Sequence, residues 1–396
     1  MRKFITTTTR LLGSTALLCC APAFAQVNQK NDSEIIVTGT RSGDAIPADQ
    51  TAASVTVIDS DQLVNRQARQ VSDLLRDVPG FAVSNIAGQT QLRLRGSEGN
   101  HTLVLVDGIE VSDPFFGEFD VGTLIADEMA RIEILRGQQS ALYGSDAIGG
   151  VIHYRSLSGA DAPGLSARVE AGSFNSFSSA ARLGGKTGGF DYVLTSSMIS
   201  TDGRPNARGG SRDLRSDSAA FAFLGNLQVT ENLKFGAVAR YSQNDGDFNT
   251  SENDVTSPSF GQIVDSPGRR FENRGIYGLI KAELDLLDGR WSHRLSAQFA
   301  NSQRRGFLGA LLNSGSSGKR LKGSDETTAI FNQGDIRHQL TFAADLEGEK
   351  FRNDDPSGFA FTGQRSNENL GLVGLYELYA GDRASFSAAV RYDDNE

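Results

Sequence analysis

Cysteine is nearly absent: the chain has two, Cys19 and Cys20, and both fall within its first 25 residues. The remainder is thiol-free, which excludes disulfides, thiol catalysis and thiolate-bound metal there. Histidine is scarce too. His101, His153, His293 and His338 stand at no metal-ligand spacing. No run approaches the ~18 apolar residues of a transmembrane helix. Positive charge is in the minority. The formal net charge is −9, and no acid precedes Asp32, so the chain beyond residue 25 is more acidic still. That sign disfavours nucleic acid. Catalytic motifs are missing as well. Gly185-Lys186-Thr187 resembles the end of a phosphate-binding loop, but the first glycine of that motif would fall at Ala180. The reading is a protein that is not an enzyme.

Glycine (44) and phenylalanine (23) are plentiful, a composition suited to many strands and turns. Residues 1–25 read as a secretory signal, with Arg2, Lys3 and Arg10 ahead of an apolar stretch, and Ala23-Phe24-Ala25 as the cleavage site. A lipoprotein signal competes, but Leu18 and Cys19 stand where small residues are needed. Residues 26–50 read as a flexible segment carrying one β-prone island, Ser33-Glu-Ile-Ile-Val-Thr-Gly-Thr-Arg41. With nothing local to pair with, the island is either a strand donated to a partner by edge addition or the first strand of the next domain.

Residues 51–160 read as a compact α+β unit. Ser54–Ile58 alternates as a strand, and Val71, Leu74, Leu75 and Val78 have helical spacing stopped by Pro79-Gly80. Asp107-Gly108 turns a hairpin between Thr102–Val106 and Ile109–Val111. Residues 161–396 read as long alternating strands. Phe386, Ala388, Val390 and Tyr392 oppose Ser385, Ser387, Arg391 and Asp393, for example. These strands outrun the ~5–6 residues usual in soluble sheets and fit an antiparallel transmembrane β-barrel. Short links alternate with long polar ones, predicted at 201–212, 245–270, 303–322 and 351–367. About eleven strands are legible. Single-chain bacterial barrels have even counts, and 22 is the count that holds a plug. The expectation is therefore an α+β plug domain followed by about the first 11 of 22 barrel strands.

Six motifs in this order resemble TonB-dependent outer-membrane receptors. They are Ile35–Arg41, Val71–Gly80, Leu92–Gly96, Leu105–Gly108, Ile132–Gly137 and Tyr143-Gly-Ser-Asp-Ala-Ile-Gly-Gly-Val151. The family usually has Asn where His153 stands. The resemblance implies active import across the outer membrane, the partners being TonB with its inner-membrane energising complex, outer-membrane lipid and a large organic or metal-chelate substrate. TonB would grip Ile35, Ile36, Val37, Thr38 and Gly39. Arg93, Arg95, Arg131, Glu133 and Arg136 are charges on apolar strands, expected to pair across the plug–barrel boundary. Apical loops carrying Asn85, Gln89, Phe115, Phe116 and Phe119 are expected to meet substrate. Tyr143–Val151 and the tight first hairpin look most like the cobalamin branch, whose external loops bind calcium. Asp202, Asp213, Asp217, Asp245 and Asp247 are the matching acids, with a solvated acidic surface as the competing reading. No other cofactor is implied. A ferric-siderophore receptor is the nearest alternative; a signalling receptor or an adhesive β-protein are alternatives of another class.

Overall fold

In a computed structural model the described residues are 36–37, 46–47, 54–126, 129–356, 361–381 and 383–396. The signal segment and Ile35, Thr38 and Gly39 of the TonB box lie outside them. Strand β1 (Ile36–Val37) pairs antiparallel with β2 (Ile46–Pro47), so the island does find a local partner.

The α+β unit runs β3 (Ser54–Ile58), α1 (Ser60–Arg66), α2 (Val71–Arg76), β4 (Phe81–Ile86), β5 (Gln89–Leu94), β6 (Thr102–Val106), β7 (Ile109–Glu110), β8 (Met129–Arg136), α3 (Ser140–Tyr143) and β9 (Gly150–Ser156). One sheet has the order β3-β8-β9-β6-β7, with β6 and β9 parallel; β4 and β5 form a separate hairpin. Alternation gives the sheet two apolar faces. Ile132, Ile134, Ile152, Tyr154, Val104 and Val106 share a core with Val71, Leu74 and Leu75 of α2. Leu103, Leu135 and Val151 pack the opposite face with Ala147.

The glycines of Tyr143–Val151 serve close packing. Gly150 has φ +149°, and a β-carbon there would lie 2.4 Å from the Leu135 carbonyl oxygen. Only glycine lets β9 enter between β6 and β8 at that point.

The second unit is β10 (Gly164–Gly172), β11 (Ser176–Thr187), β12 (Phe190–Thr201), β13 (Ser216–Gln228), β14 (Leu233–Asp247), a small hairpin of β15 (Thr250–Ser251) and β16 (Ile263–Val264), β17 (Arg269–Leu286), β18 (Trp291–Leu308), β19 (Leu311–Gln333), β20 (Ile336–Asp354), β21 (Gly363–Ala380) and β22 (Ala384–Asn395). Apart from β15 and β16 these form one eleven-stranded antiparallel sheet in sequence order. Phe221, Phe235, Ile280, Leu295, Phe342 and Val390 stand exposed on its outer face. Arg240, Asn244, Asn273, Thr328 and Gln339 are buried on the inner face. Apolar out and polar in is the membrane-barrel pattern. No helix among the described residues is long and apolar enough to cross a membrane, which leaves crossing by strands untouched.

One end of the sheet has only short turns. At the other, 202–215 and 248–268 are long links. The predicted link at 303–322 is a correction: β18 continues to Leu308, Gly309 and Ala310 make the turn, and β19 starts at Leu311. Its Gly- and Ser-rich composition reads as loop because neither face there needs apolar residues. Cross-strand backbone pairing nevertheless carries the hairpin on, with a register shift at Gly306/Phe307. The link at 351–367 likewise shrinks, since β20 reaches Asp354 and β21 begins at Gly363.

Candidate functional site at the plug–wall boundary

Three aspartates organise the contact between the α+β plug and the barrel wall, and each divides its two carboxylate oxygens in the same way. Asp107 Oδ1 accepts from the Ser156 amide at 2.7 Å, while Oδ2 takes Arg240 Nη1 at 3.0 Å. Asp113 Oδ1 accepts from the amides of Phe115 and Phe116 at 2.9 and 3.0 Å, while Oδ2 takes the Ser302 hydroxyl at 2.7 Å. Asp120 Oδ1 accepts from the amides of Thr90 and Gly122 at 2.9 and 3.0 Å, while Oδ2 takes Asn273 Nδ2 at 2.6 Å. One oxygen bonds only within the plug and the other reaches the wall, although Asp107 Oδ2 also accepts from the Ser156 hydroxyl at 2.8 Å. Local side-chain-to-amide bonding is the ordinary use of Asp in turns. Here burial against the wall adds a second partner to the same group.

Glu110 extends the pattern. It meets Lys322 Nζ at 2.8 Å and Arg320 Nη2 at 3.2 Å, and its amide donates to Gln298 Oε1 at 3.2 Å. Burial would push its carboxyl up, but Arg320 and Lys322 outweigh that and hold it well below the usual carboxylate range, at about 2. Arg320 also donates to the Ser112 carbonyl, and Arg304 to Gln89 Oε1 and the Glu118 carbonyl. Apolar contact is narrower: Leu224, Val238, Tyr277, Leu279 and Ala300 of the wall join the plug core. Beside the β6–β7 hairpin lies a cavity of about 520 Å³, whose lining includes Asp107, Glu110, His153, Lys281, Arg294 and Glu326. Such a mixed lining favours water over an empty void.

The predicted boundary pairs are a correction. Arg131 and Glu133 bond each other at 2.8 Å within β8. Arg136 donates to Thr56 Oγ1 at 2.6 Å on the neighbouring plug strand, and Arg93 and Arg95 are exposed. Polar pairing across the boundary is present, but through other residues: Asp107 and Glu110 of the plug meet Arg240, Arg320 and Lys322 of the wall, and Arg69 of the plug meets Glu170 of β10. The sequence signal for it lay in 107–120, where every Asp was explicable as a turn residue.

The apical residues separate. Phe116 is half-exposed, with its ring edge-on to Phe115 at 4.6 Å; Phe115 meets Phe351 of β20 at 5.4 Å. Asn85 is exposed, whereas Gln89 is engaged by Arg304 and Glu118. Phe119 is a core residue at 8% exposure and is corrected out of the ligand surface. The acids do not converge. Asp217 and Asp245 share Arg215, and Asp247 pairs with Arg212 at 3.0 Å. Asp202 and Asp213 lie in the 202–215 link. Among the described residues no group of three or more His, Cys, Asp or Glu could hold a metal ion.

His153, where the family pattern differs, lies opposite Glu133 and Leu105 on its flanking strands. Both ring nitrogens are shut from solvent without a partner among the described residues, and burial holds its pKa down at about 4. It is a neutral packing residue.

The TonB-dependent Receptor Plug Domain model matches residues 47–151. The chain is 35% identical over 136 residues to the vitamin B12 transporter BtuB of Vibrio vulnificus (strain YJ016), covering 34% of this chain and 22% of that protein. It is 37% identical over 162 residues to the iron-regulated outer membrane virulence protein of Vibrio cholerae serotype O1, covering 39% and 24%. Among solved structures, the ferric-catecholate import receptor Fiu of E. coli K12 superposes with a TM-score of 0.71 at 14% identity, over 90% of this chain and 61% of that one. The ferric citrate transporter FecA gives 0.67 at 16%, over 91% and 59%. The matches span about a quarter of the curated relatives and about three fifths of the solved chains. Residues 47–151 thus match a TonB-dependent receptor plug domain in sequence, and the chain as a whole shares the fold of the solved receptors.

Proposed function

We propose that this protein imports a large, scarce organic or metal-chelated nutrient across the bacterial outer membrane, driven by TonB. The observation that carries the reading is the divided carboxylate. A plug meant to stay would be sealed by apolar packing, whereas one meant to move needs contacts that water can replace. Asp107, Glu110, Asp113 and Asp120 supply such contacts, and the adjoining cavity supplies the water. The chain would reach the outer membrane through the signal at residues 1–25. TonB would add a strand to Ile36–Val37, displacing the two-residue pairing with Ile46–Pro47. Substrate would meet the face bearing Phe115, Phe116 and Asn85.

Relatives named for vitamin B12 and solved neighbours named for ferric chelates make both substrate classes worth testing. Equilibrium binding of cyanocobalamin and of a ferric catecholate to the purified protein separates them. Uptake of the bound compound should vanish in cells lacking TonB. Uptake that persists there would overturn the proposal.

A further inference from the structure

A second cavity, of about 320 Å³, lies between α1 and the inner face of β10–β12. Its lining carries three guanidinium groups, Arg69 from the plug and Arg168 and Arg182 from the wall, against one carboxylate, Glu170. Glu170 is spent on two of them. It bonds Arg69 at 2.7 and 2.5 Å and Arg168 at 2.6 Å. Arg182 pairs with no carboxylate among the described residues, and its Nε is buried without a hydrogen-bond partner.

The strand register puts these groups on one surface. Ser166, Arg182 and Thr195 form a row across three strands, and Arg168 stands two residues along from Ser166 on the same face. The two guanidinium groups are therefore diagonal neighbours of like charge. Thr195 is only 6% exposed, and its hydroxyl also lacks a partner. Excess positive charge, a guanidinium with an idle Nε and an idle hydroxyl donor around one cavity describe a receptor for an oxyanion.

We propose that this cavity binds a compact oxyanion, phosphate or carboxylate, held by Arg182 and Thr195 of the wall within reach of Arg69 of the plug. Bound there, the anion bridges plug and wall through residues other than those of the Asp107–Asp120 contacts. The assignment stands independently of the transported substrate.

The test uses the full chain, folded in detergent and titrated with sodium phosphate or sodium acetate against sodium chloride at constant ionic strength. Calorimetry and the thermal unfolding midpoint are read together. Saturable binding is expected, with phosphate above acetate assigning a phosphoryl ligand and the reverse assigning a carboxylate. Arg182→Gln and Thr195→Val should each weaken it about tenfold, while Arg204→Gln in the exposed 202–215 link should not change it. Thr195→Val is nearly isosteric, so it decides the matter if Arg182→Gln fails to fold. A response equal to that of chloride, or one unchanged in the variants that fold, would overturn the site.

Discussion

Asp107 of the plug and Arg240 of the barrel wall meet at 3.0 Å, with side chains only 6% and 7% exposed. The same Asp107 shapes the hairpin turn, with φ +52° followed by Gly108 at +87°. Fold and docking thus depend on a single carboxylate.

Removing one partner of this pair leaves an uncompensated buried charge. Asp107→Asn or Arg240→Gln should each destabilise the folded state by about 3–5 kcal/mol. In a double-mutant cycle read by urea unfolding, the double variant should lose clearly less than the sum. Strict additivity would show that the two groups do not interact.

Glu110 makes the boundary sensitive to acid. Its folded pKa, about 2, lies below the ordinary 4.5, so its stabilising contribution is complete above pH 4.5 and fades as pH falls toward 2. The difference in unfolding midpoint between the natural protein and Glu110→Gln should be full at pH 6 and close progressively below pH 4.5. A gap that stayed constant with pH would contradict this.

With no cysteine beyond Cys20, the plug and wall permit a clean cross-link. A β-carbon on Gly318 of β19 would lie 3.2 Å from Cβ of Pro114, and replacing the proline also removes the Cδ that would stand 2.4 Å away. A disulfide spans Cβ atoms ~3.5–4.5 Å apart, so the pair need only part by a few tenths of an ångström. The double variant Pro114→Cys, Gly318→Cys should oxidise readily and keep ligand binding. It should block uptake until a reductant is added. Unimpaired uptake in the oxidised form would mean that this part of the plug does not move.

Phe116 and Phe119 should behave oppositely. Phe119→Ala removes a core ring and should cost about 3–5 kcal/mol of stability. Phe116→Ala, at a half-exposed ring, should leave stability within about 0.5 kcal/mol and weaken ligand binding instead. Calorimetry of both variants, with and without ligand, checks the contrast.

Strand alternation made both units legible from residues alone, because a side-chain period of two reports directly which face is buried. Polar strands hid from the same reading. Between Gln303 and Lys322 there is no apolar periodicity to find, and the hairpin is held by backbone bonds that any residue supplies. The boundary contacts hid for another reason. Arg93, Arg95 and Arg136 stood out as charges on apolar strands, yet charge on a strand says nothing about the partner opposite.

By itself the amino-acid sequence determined the order of the two units, the period of the strands, the turns at glycine and the acidic balance of the chain. These are local properties, set by backbone freedom and by which side chains avoid water. Only the tertiary structure decided which charges meet, because Asp107 and Arg240 are 133 positions apart and become neighbours solely through sheet register and plug placement. An aspartate in a turn looks the same in sequence whether its second oxygen faces water or an arginine. The wall of the barrel made that choice.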